Sequence, residues 1–394
     1  MKRRYFTAVL TASITAIALV FTSCLDSDGE TIPLEFDANS VIPSDDLASE
    51  NPDVEDDAAA VSNFIYQSTY ETRTDSMLVE IVMPGVKYPD SDQWLYAVGT
   101  NGSAVGTQNV WVSVDDKPRG CRAYNYSAGE TEDSLTVDFV FLVDNSSNMN
   151  AAGDLIASDV RSWAKTLAKS AVELRVGVVG YGGSETDLGV DGAMDLCTAS
   201  ELEDYLNLDD ATGVSRTKGY GGDYATYLEK ISAISFSNCS GECGVEALMY
   251  ANSAFTFAEN ALRVYLNFTD EANQPGGESA WSVEQLADQQ TWSATAGVVH
   301  TVFSGNEAFS EQEFAYEWPW KMSTYTGGTT LVADNSLTDV TLAGLDVTGT
   351  LQNWWVIRFR VPSSLADDEE HTVHITILST DEQIQADKTF QIAF

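Results

Sequence analysis

Short apolar segments separated by Gly, Pro, Asp and Asn turns predict β-strands near both ends of this chain. They are Met77–Val82, Trp94–Val98 and Val110–Val114 in the first half, and Trp354–Val361, His371–Leu378 and Thr389–Ile392 near the carboxyl end. Alternation of apolar and polar residues in the last segments is typical of a sandwich with one wet face. We therefore predict that residues 61–134 and 346–394 are two parts of one β-sandwich, with two small independent sandwiches as the alternative.

The pattern changes between these ends, where residues 135–345 alternate helix and strand. Apolar residues from Leu155 to Ala171 recur at helical spacing. Strands are predicted around Val137–Val143, Leu174–Tyr181, Leu262–Phe268 and Val298–Phe303, and further helices at Ser200–Asn207, Gly244–Glu259 and Ser282–Ser293. This alternation favours a mostly parallel sheet covered on both faces. The predicted fold class is α/β, with this domain inserted in or flanked by the sandwich.

The amino terminus has the pattern of a secretory signal over residues 1–23, with a basic start and an apolar core too short for a membrane span. Small residues before Cys24 resemble the lipobox of bacterial lipoproteins, although Phe21 stands where Leu is usual. That resemblance implies cleavage before Cys24 and its acylation. Residues 24–60 are acidic, lack Lys and Arg, and are predicted to be an unfolded tether.

The charge balance narrows the range of partners. The chain has 20 basic and 60 acidic residues, for a net charge of -40. Such an anionic surface argues against nucleic acid and favours divalent cations. The resemblance to bacterial lipoproteins implies an outer-membrane lipoprotein of a Gram-negative bacterium, held to the membrane by its lipid and facing the cell surface or the periplasm.

Four cysteines follow Cys24, and an even number in an exported chain favours disulfides. The candidates are Cys121, Cys197, Cys239 and Cys243. Pairing of Cys239 with Cys243 would close a small loop and leave Cys121 for Cys197, but the sequence leaves all three pairings open.

Oxygen-bearing side chains follow the first strand of the α/β region. Asp144, Ser146 and Asn148 come directly after Val137–Val143, and Asp270 follows the strand that begins at Leu262. Ligands of open parallel sheets bind at the carboxyl ends of strands, so neighbouring strands would bring both aspartates to one crevice. Oxygen ligands at this spacing are typical of a site for a hard divalent cation.

This loop, the helix after it and the later strand ending in Thr269-Asp270 resemble the von Willebrand factor A family over about residues 135–345. The resemblance implies a metal-ion-dependent adhesion site. Asp144, Ser146 and Asp270 match the family pattern by residue. Asn148 stands where a second Ser is usual, which puts the affinity and the metal preference in question.

The third loop of the site departs further from that pattern, because the expected Thr is absent. The segment from Ser240 to Met249 resembles instead the integrin β-subunit variant. That resemblance implies Glu242 as the third-loop ligand. Ser240 and Thr217 remain the alternatives if the register differs.

The function that this resemblance implies is divalent-cation-dependent protein binding. Mg²⁺ is expected ahead of Ca²⁺ or Mn²⁺, and a carboxylate of the partner protein would complete its coordination. The alternative is a carbohydrate-binding accessory lipoprotein that uses Trp318, Trp320, Trp354 and Trp355. No enzyme is expected, because the sequence offers no nucleophile–base arrangement.

Overall fold

The computed structural model describes most of the chain from residue 42 onward. The described residues are 42–54, 67–72, 76–89, 91–100, 107–127, 135–170, 172–182, 189–212, 239, 241–276, 281–293, 295–305, 317–367 and 369–394. The predictions on the signal, Cys24, Thr217 and Ser240 lie outside these residues. Within them, no helix is both long and apolar enough to span a membrane.

Strands predominate over helices in the described residues. The strands are β1 Gln67–Thr72, β2 Ser76–Pro84, β3 Val110–Val114, β4 Lys117–Arg119, β5 Cys121–Ser127, β6 Leu135–Asp144, β7 Val172–Tyr181, β8 Val190–Cys197, β9 Leu262–Thr269, β10 Val298–Phe303, β11 Thr330–Val332, β12 Asn353–Pro362, β13 Glu370–Leu378 and β14 Gln385–Ala393. The α-helices are α1 Asn150–Ala168, α2 Ala199–Thr212, α3 Gly244–Ala254, α4 Trp320–Thr326 and α5 Asp346–Gln352. The 3₁₀ turns are Asp45–Leu47, Ser147–Met149, Val283–Ala287, Leu342–Gly344 and Ser363–Leu365. The protein is therefore a mixed α/β structure with several sheets.

Two sheets join the two ends of the chain. Within the described residues, one sheet has the order β1-β2-β12-β5 and the other β14-β13-β3-β4. Strand β12 pairs antiparallel with β2, and β13 pairs antiparallel with β3. Alternation along β2 buries Met77, Val79 and Ile81 in a core that both sheets share. Because each sheet needs strands from both ends, the alternative of two independent sandwiches is wrong.

A third sheet lies between these strands in the sequence and is mostly parallel. Its order in the described residues is β11-β10-β9-β6-β7-β8. Strand β6 runs parallel to both β7 and β9, and β10 runs parallel to β9 and β11. Among the described strand pairs of this third sheet, only β7 and β8 are antiparallel.

Helices cover both faces of this sheet, which explains the nearly continuous apolar run of β6. Phe139 and Phe141 pack against Trp163 of α1 on one face. Val140 and Leu142 belong to a separate core with α3 on the other face. Successive residues of a strand point to opposite faces, so one strand serves both cores.

The sandwich and the parallel sheet share apolar surface. Trp354 and Val356 of β12 lie in the same core as α1, on the face of the sandwich sheet that points away from the sandwich interior. The ring of Trp354 stacks on Tyr126, with ring centroids 4.1 Å apart. The indole of Trp163 donates a hydrogen bond to Thr348 of α5 at 2.9 Å.

Two predicted elements differ from the structure. The predicted strand Trp94–Val98 is not a strand, because amide side chains satisfy its backbone: Asn125 accepts from Ala97 N and Asn109 accepts from Val98 N, each at 2.7 Å. The predicted helix Ser282–Ser293 is shorter, since only Val283–Ala287 forms a 3₁₀ turn. Its capping box with Ser282 as N-cap is present.

The acidic segment before the first strand is attached to the sandwich. Asp45 forms an ion pair with Arg119 at 2.8 Å, and the indole of Trp111 donates to Ser49 at 3.1 Å. The amide of Asn51 donates to Thr376 at 3.0 Å. Arg119 is buried and gains a carboxylate from this contact. The predicted tether is therefore wrong for residues 42–54.

Candidate functional site

The carboxyl ends of β6 and β9 lie side by side because the two strands are parallel neighbours, with Val143 opposite Phe268. Asp144 is the last residue of β6, and Thr269 is the last of β9. Asp270 follows directly. The parallel pairing thus brings together the two aspartates that the sequence places after separate strands.

Asp144 is fully buried, and among the described residues the hydrogen-bond donors to it are neutral. Its Oδ1 accepts from the backbone N–H of Ser146 at 2.8 Å, and its Oδ2 accepts from the hydroxyl of Thr269 at 3.0 Å. The pKa of Asp144 is raised to about 8, chiefly by burial and also by the charges of Asp270 and Glu242, against the opposing effect of hydrogen bonds from Ser146. The site thus disfavours negative charge on its central carboxylate unless a cation is present.

Ser146 links the two aspartates. Its backbone donates to Asp144, and its hydroxyl donates to Asp270 Oδ1 at 3.4 Å. Asn148 lies in the following 3₁₀ turn and its side chain is exposed. Among the described residues no hydrogen bond joins Asn148 to the other three. The structure therefore brings Asp144, Ser146 and Asp270 together more closely than Asn148.

Glu242 lies in the loop before α3 and is held there by Gln274. The side-chain amide of Gln274 donates to Glu242 Oε2 at 3.0 Å, and its backbone N–H donates to Glu242 O at 2.9 Å. Gly182, at a φ of +72°, gives Glu242 its space: a Cβ there would lie 2.8 Å from Glu242 Cγ. Glu242 is close enough to act on the pKa of Asp144.

The chemistry of this donor set fits a hard divalent cation. Carboxylate and hydroxyl oxygens are the ligands that Mg²⁺ and Ca²⁺ prefer. In the described part of the chain, no Lys or Arg forms an ion pair with Asp144, Glu242 or Asp270. The carboxylate oxygens of Asp144, Glu242 and Asp270 do not all lie within 4.8 Å of one another. Among the described residues, the group of His, Cys, Asp or Glu side chains that meets this distance is Cys239, Cys243 and Glu246.

The polar floor of the site was not found by sequence reasoning. The hydroxyl of Tyr181 donates to Asn267 Oδ1 at 2.8 Å, and burial raises the pKa of Tyr181 well above its usual value. The Thr269 hydroxyl on Asp144 and the Gln274 amide on Glu242 were also missed as supporting groups. The position of Thr269, directly before Asp270 at a strand end, was a usable signal. Gln274 carried none, because its contact depends on how two loops meet.

The cysteines confirm one disulfide and exclude another. Cys239 and Cys243 are bonded, so this pair flanks Glu242. Cys121 and Cys197 are free, so the possible bond between them is not formed. The reason is their position: Cys121 is buried in the sandwich core, whereas Cys197 ends β8 and donates to Val176 O in the third sheet.

Of the four tryptophans suggested for carbohydrate stacking, two are buried and two are half-buried. Trp354 and Trp355 are 6% and 2% exposed, so the role proposed for them is wrong. Trp318 and Trp320 are half-buried and stacked, with ring centroids 5.6 Å apart. The ammonium of Lys321 lies 4.6 Å from the Trp318 ring.

Comparison with known proteins adds little to this geometry. No protein-family model matches the chain, and no curated protein sequence matches it. Among solved structures, the open conformation of the pilus adhesin SpaC from Lactobacillus rhamnosus GG matches with 10% identity and a TM-score of 0.34. The match covers 82% of this chain and 55% of that chain. A similarity this low carries neither fold nor function across.

Proposed function

We propose that this protein binds a protein ligand through a divalent cation, Mg²⁺ ahead of Ca²⁺ or Mn²⁺. One observation carries the proposal: Asp144 and Asp270, at the ends of adjacent parallel strands, share Ser146 and have no cationic partner in the described residues. A buried carboxylate with a raised pKa beside two further acids is a strong attractor for a cation.

Asp144, Ser146 and Asp270 would hold the ion, with Glu242 as the third-loop ligand and Asn148 at the exposed rim. The ion would supply positive charge and an exchangeable coordination position that a carboxylate of the partner can take. Without the ion, the acids of the site would repel the same carboxylate. This requirement makes binding conditional on the metal.

The domain that carries the site is proposed to be a doubly wound von Willebrand factor A domain over about residues 135–345. The parallel strand order and the helices on both faces of the sheet are consistent with that assignment. The variant is proposed to be integrin β-like, because Glu242 stands in the third loop. We further propose that the chain is an outer-membrane lipoprotein anchored through Cys24, with adhesion or complex assembly as its role.

The first test measures metal binding directly. Mg²⁺ is titrated calorimetrically into the wild-type protein, Asp144→Asn and the control Asp339→Asn, an exposed acid of the same domain. We expect one saturable site in the wild type and the control, and none in Asp144→Asn. Equal binding by all three proteins would contradict the proposal.

The second test concerns the partner. The full chain is used to capture proteins from the native membrane, with and without chelator. Partners lost both on chelation and in Asp144→Asn are expected. Capture that survives chelation but fails in Trp318→Ala would favour the carbohydrate alternative instead.

A further inference from the structure

A second cluster of metal-ligating side chains lies beyond the Asp144 site. Within the described residues, Cys239, Cys243 and Glu246 place two sulfurs and a carboxylate oxygen within 4.8 Å of one another. The two cysteines are four positions apart, and Glu246 lies in the first turn of α3. The spacing is within the range that zinc-binding Cys pairs use.

Both sulfurs face hydrogen-bond acceptors. Glu246 Oε2 lies 2.5 Å from Cys239 Sγ, and Gln274 O lies 3.2 Å from Cys243 Sγ. A disulfide sulfur has no proton to donate, so each of these contacts brings two electron-rich atoms together without a hydrogen bond, which is unfavourable. In the dithiol, each S–H would have an acceptor in place. The surroundings therefore suit the reduced pair, or a cation, better than the disulfide.

Burial differs within the cluster. Glu246 is 1% exposed, and Cys243 is 2% exposed. Cys239 is half-buried, which leaves its sulfur within reach of a reductant.

We propose that the reduced Cys239–Cys243 pair and Glu246 form a binding site for one thiophilic divalent cation, of which Zn²⁺ is the representative. A dithiol reductant gives two electrons and two protons to the disulfide and becomes a disulfide itself. The cation then binds two thiolates and the Glu246 carboxylate, and two protons pass to solvent. Disulfide and metal exclude each other because both use the same sulfurs.

This site is chemically distinct from the one at Asp144. Thiolates are soft ligands that select Zn²⁺ over Mg²⁺, whereas the Asp144 site offers hard oxygens. The inference does not rest on the proposed function. Loss of the Asp144 site in Asp144→Asn should leave the thiolate site intact.

Co²⁺ serves as a spectroscopic substitute for Zn²⁺, since thiolate coordination gives it a near-ultraviolet charge-transfer absorption. The full chain is reduced with a phosphine, freed of it without air, and titrated with Co²⁺ in excess Mg²⁺. We expect this absorption to saturate at one Co²⁺ per reduced chain, to be absent from the oxidised chain, and to be removed by Zn²⁺.

Three variants decide the assignment. Cys243→Ser should abolish the absorption, Glu246→Gln should keep it but weaken Co²⁺ binding by about tenfold or more, and Cys197→Ser should change nothing. Circular dichroism of each oxidised or metal-free variant checks that the fold is kept. No absorption in the reduced wild type, or an unchanged one in Cys243→Ser, would overturn the inference. So would full affinity in Glu246→Gln, because the carboxylate would then not be a ligand.

Discussion

Strand β6 buries two aspartates, Asp138 in its first half and Asp144 at its carboxyl end, and the two have different hydrogen-bond donors. Both Asp138 and Asp144 are fully buried. Asp138 receives two hydrogen bonds from the guanidinium of Arg175, at 2.7 and 2.6 Å, and one from the backbone of Ala258 at 2.7 Å. Among the described residues, Asp144 receives hydrogen bonds from the neutral donors Ser146 and Thr269.

The difference separates a structural charge from a functional one. The fold supplies the counterion of Asp138, so that carboxylate is satisfied without any ligand. Asp144 sits instead beside two further acids, at the edge of the sheet where parallel-sheet proteins bind ligands. The end of β6 whose charge the chain leaves uncompensated is where an external cation is expected.

Removing the internal counterion should have the largest effect. Arg175→Met leaves Asp138 buried without its cation and should lower the free energy of unfolding by about 3 kcal/mol. Denaturant unfolding followed by circular dichroism measures the change. Arg263→Met is the matched control, since Arg263 lies on the neighbouring strand but does not bond Asp138. If both variants lost the same free energy of unfolding, Arg175 would not be a specific counterion of Asp138.

Neutralising the other end should have the opposite sign. Without divalent cations at neutral pH, Asp144→Asn should raise the free energy of unfolding by about 2 kcal/mol, because folding then no longer requires a buried carboxylate to take up a proton. With saturating Mg²⁺ the wild type should gain stability and the variant should not. A variant that is less stable than the wild type without Mg²⁺ would contradict this interpretation of Asp144.

The pH dependence follows from the same carboxylate. Its pKa is 3.8 unfolded and about 8 folded, so the folded state holds a proton that the unfolded state has lost between these values. The Asp144 contribution to stability should therefore fall as pH rises from about 4 to about 8 without metal. Mg²⁺ should flatten this dependence, and Asp144→Asn should lack it; thermal melts across that range measure it.

A smaller change tests whether Glu242 is a ligand. Gln274→Ala removes the amide that holds the Glu242 carboxylate, so Mg²⁺ affinity should fall by about tenfold. Gln289→Ala, a surface amide that bonds Thr389 O, is the control. Calorimetric titration measures both. Unchanged affinity in Gln274→Ala would indicate that the ion is held by Asp144, Ser146 and Asp270 without a positioned Glu242.

The smallest effect is expected in the sandwich, where a histidine bridges two acids. His371 Nδ1 lies 2.8 Å from Asp115 Oδ2, and Nε2 lies 3.1 Å from Asp367 Oδ1. Neutral imidazole has one N–H, so only the cation can donate to both. The pKa of His371 is raised above its ordinary value of 6.5, and the hydrogen bond with Asp115 is the largest cause.

Its stabilising effect is therefore complete below that ordinary pKa and is lost as pH rises through the folded value. His371→Gln should destabilise the protein slightly in mild acid and not at all in alkali. Melting temperatures of the variant and the wild type at both pH values measure the difference. A constant difference across pH would mean that packing against Phe394, and not charge, is what the variant removes.

Much of the fold could be predicted because it depends on local periodicity. Val110–Val114 and Val298–Phe303 were predicted to the residue. Strand β5 and the antiparallel edge strand β8 were missed, since neither Cys121–Ser127 nor Val190–Cys197 has a clear apolar alternation. The 42–54 segment was assigned to a tether by its acidic composition, although its contacts with Arg119 and Thr376 come from residues far along the chain.

The sequence by itself determined many of the elements and the residue types at their ends: apolar period two for strands, helical spacing for α1, an acid at the end of β6 and an acid directly after β9. These features are local, so they can be found without knowing what lies opposite. Only the tertiary structure decided that β6 and β9 are neighbours, that Arg175 neutralises Asp138, and that no such partner reaches Asp144 among the described residues. These contacts join residues far apart in the chain, 125 positions for Thr269 and Asp144 and 37 for Arg175 and Asp138. A charge is satisfied or left uncompensated only by what folding brings beside it.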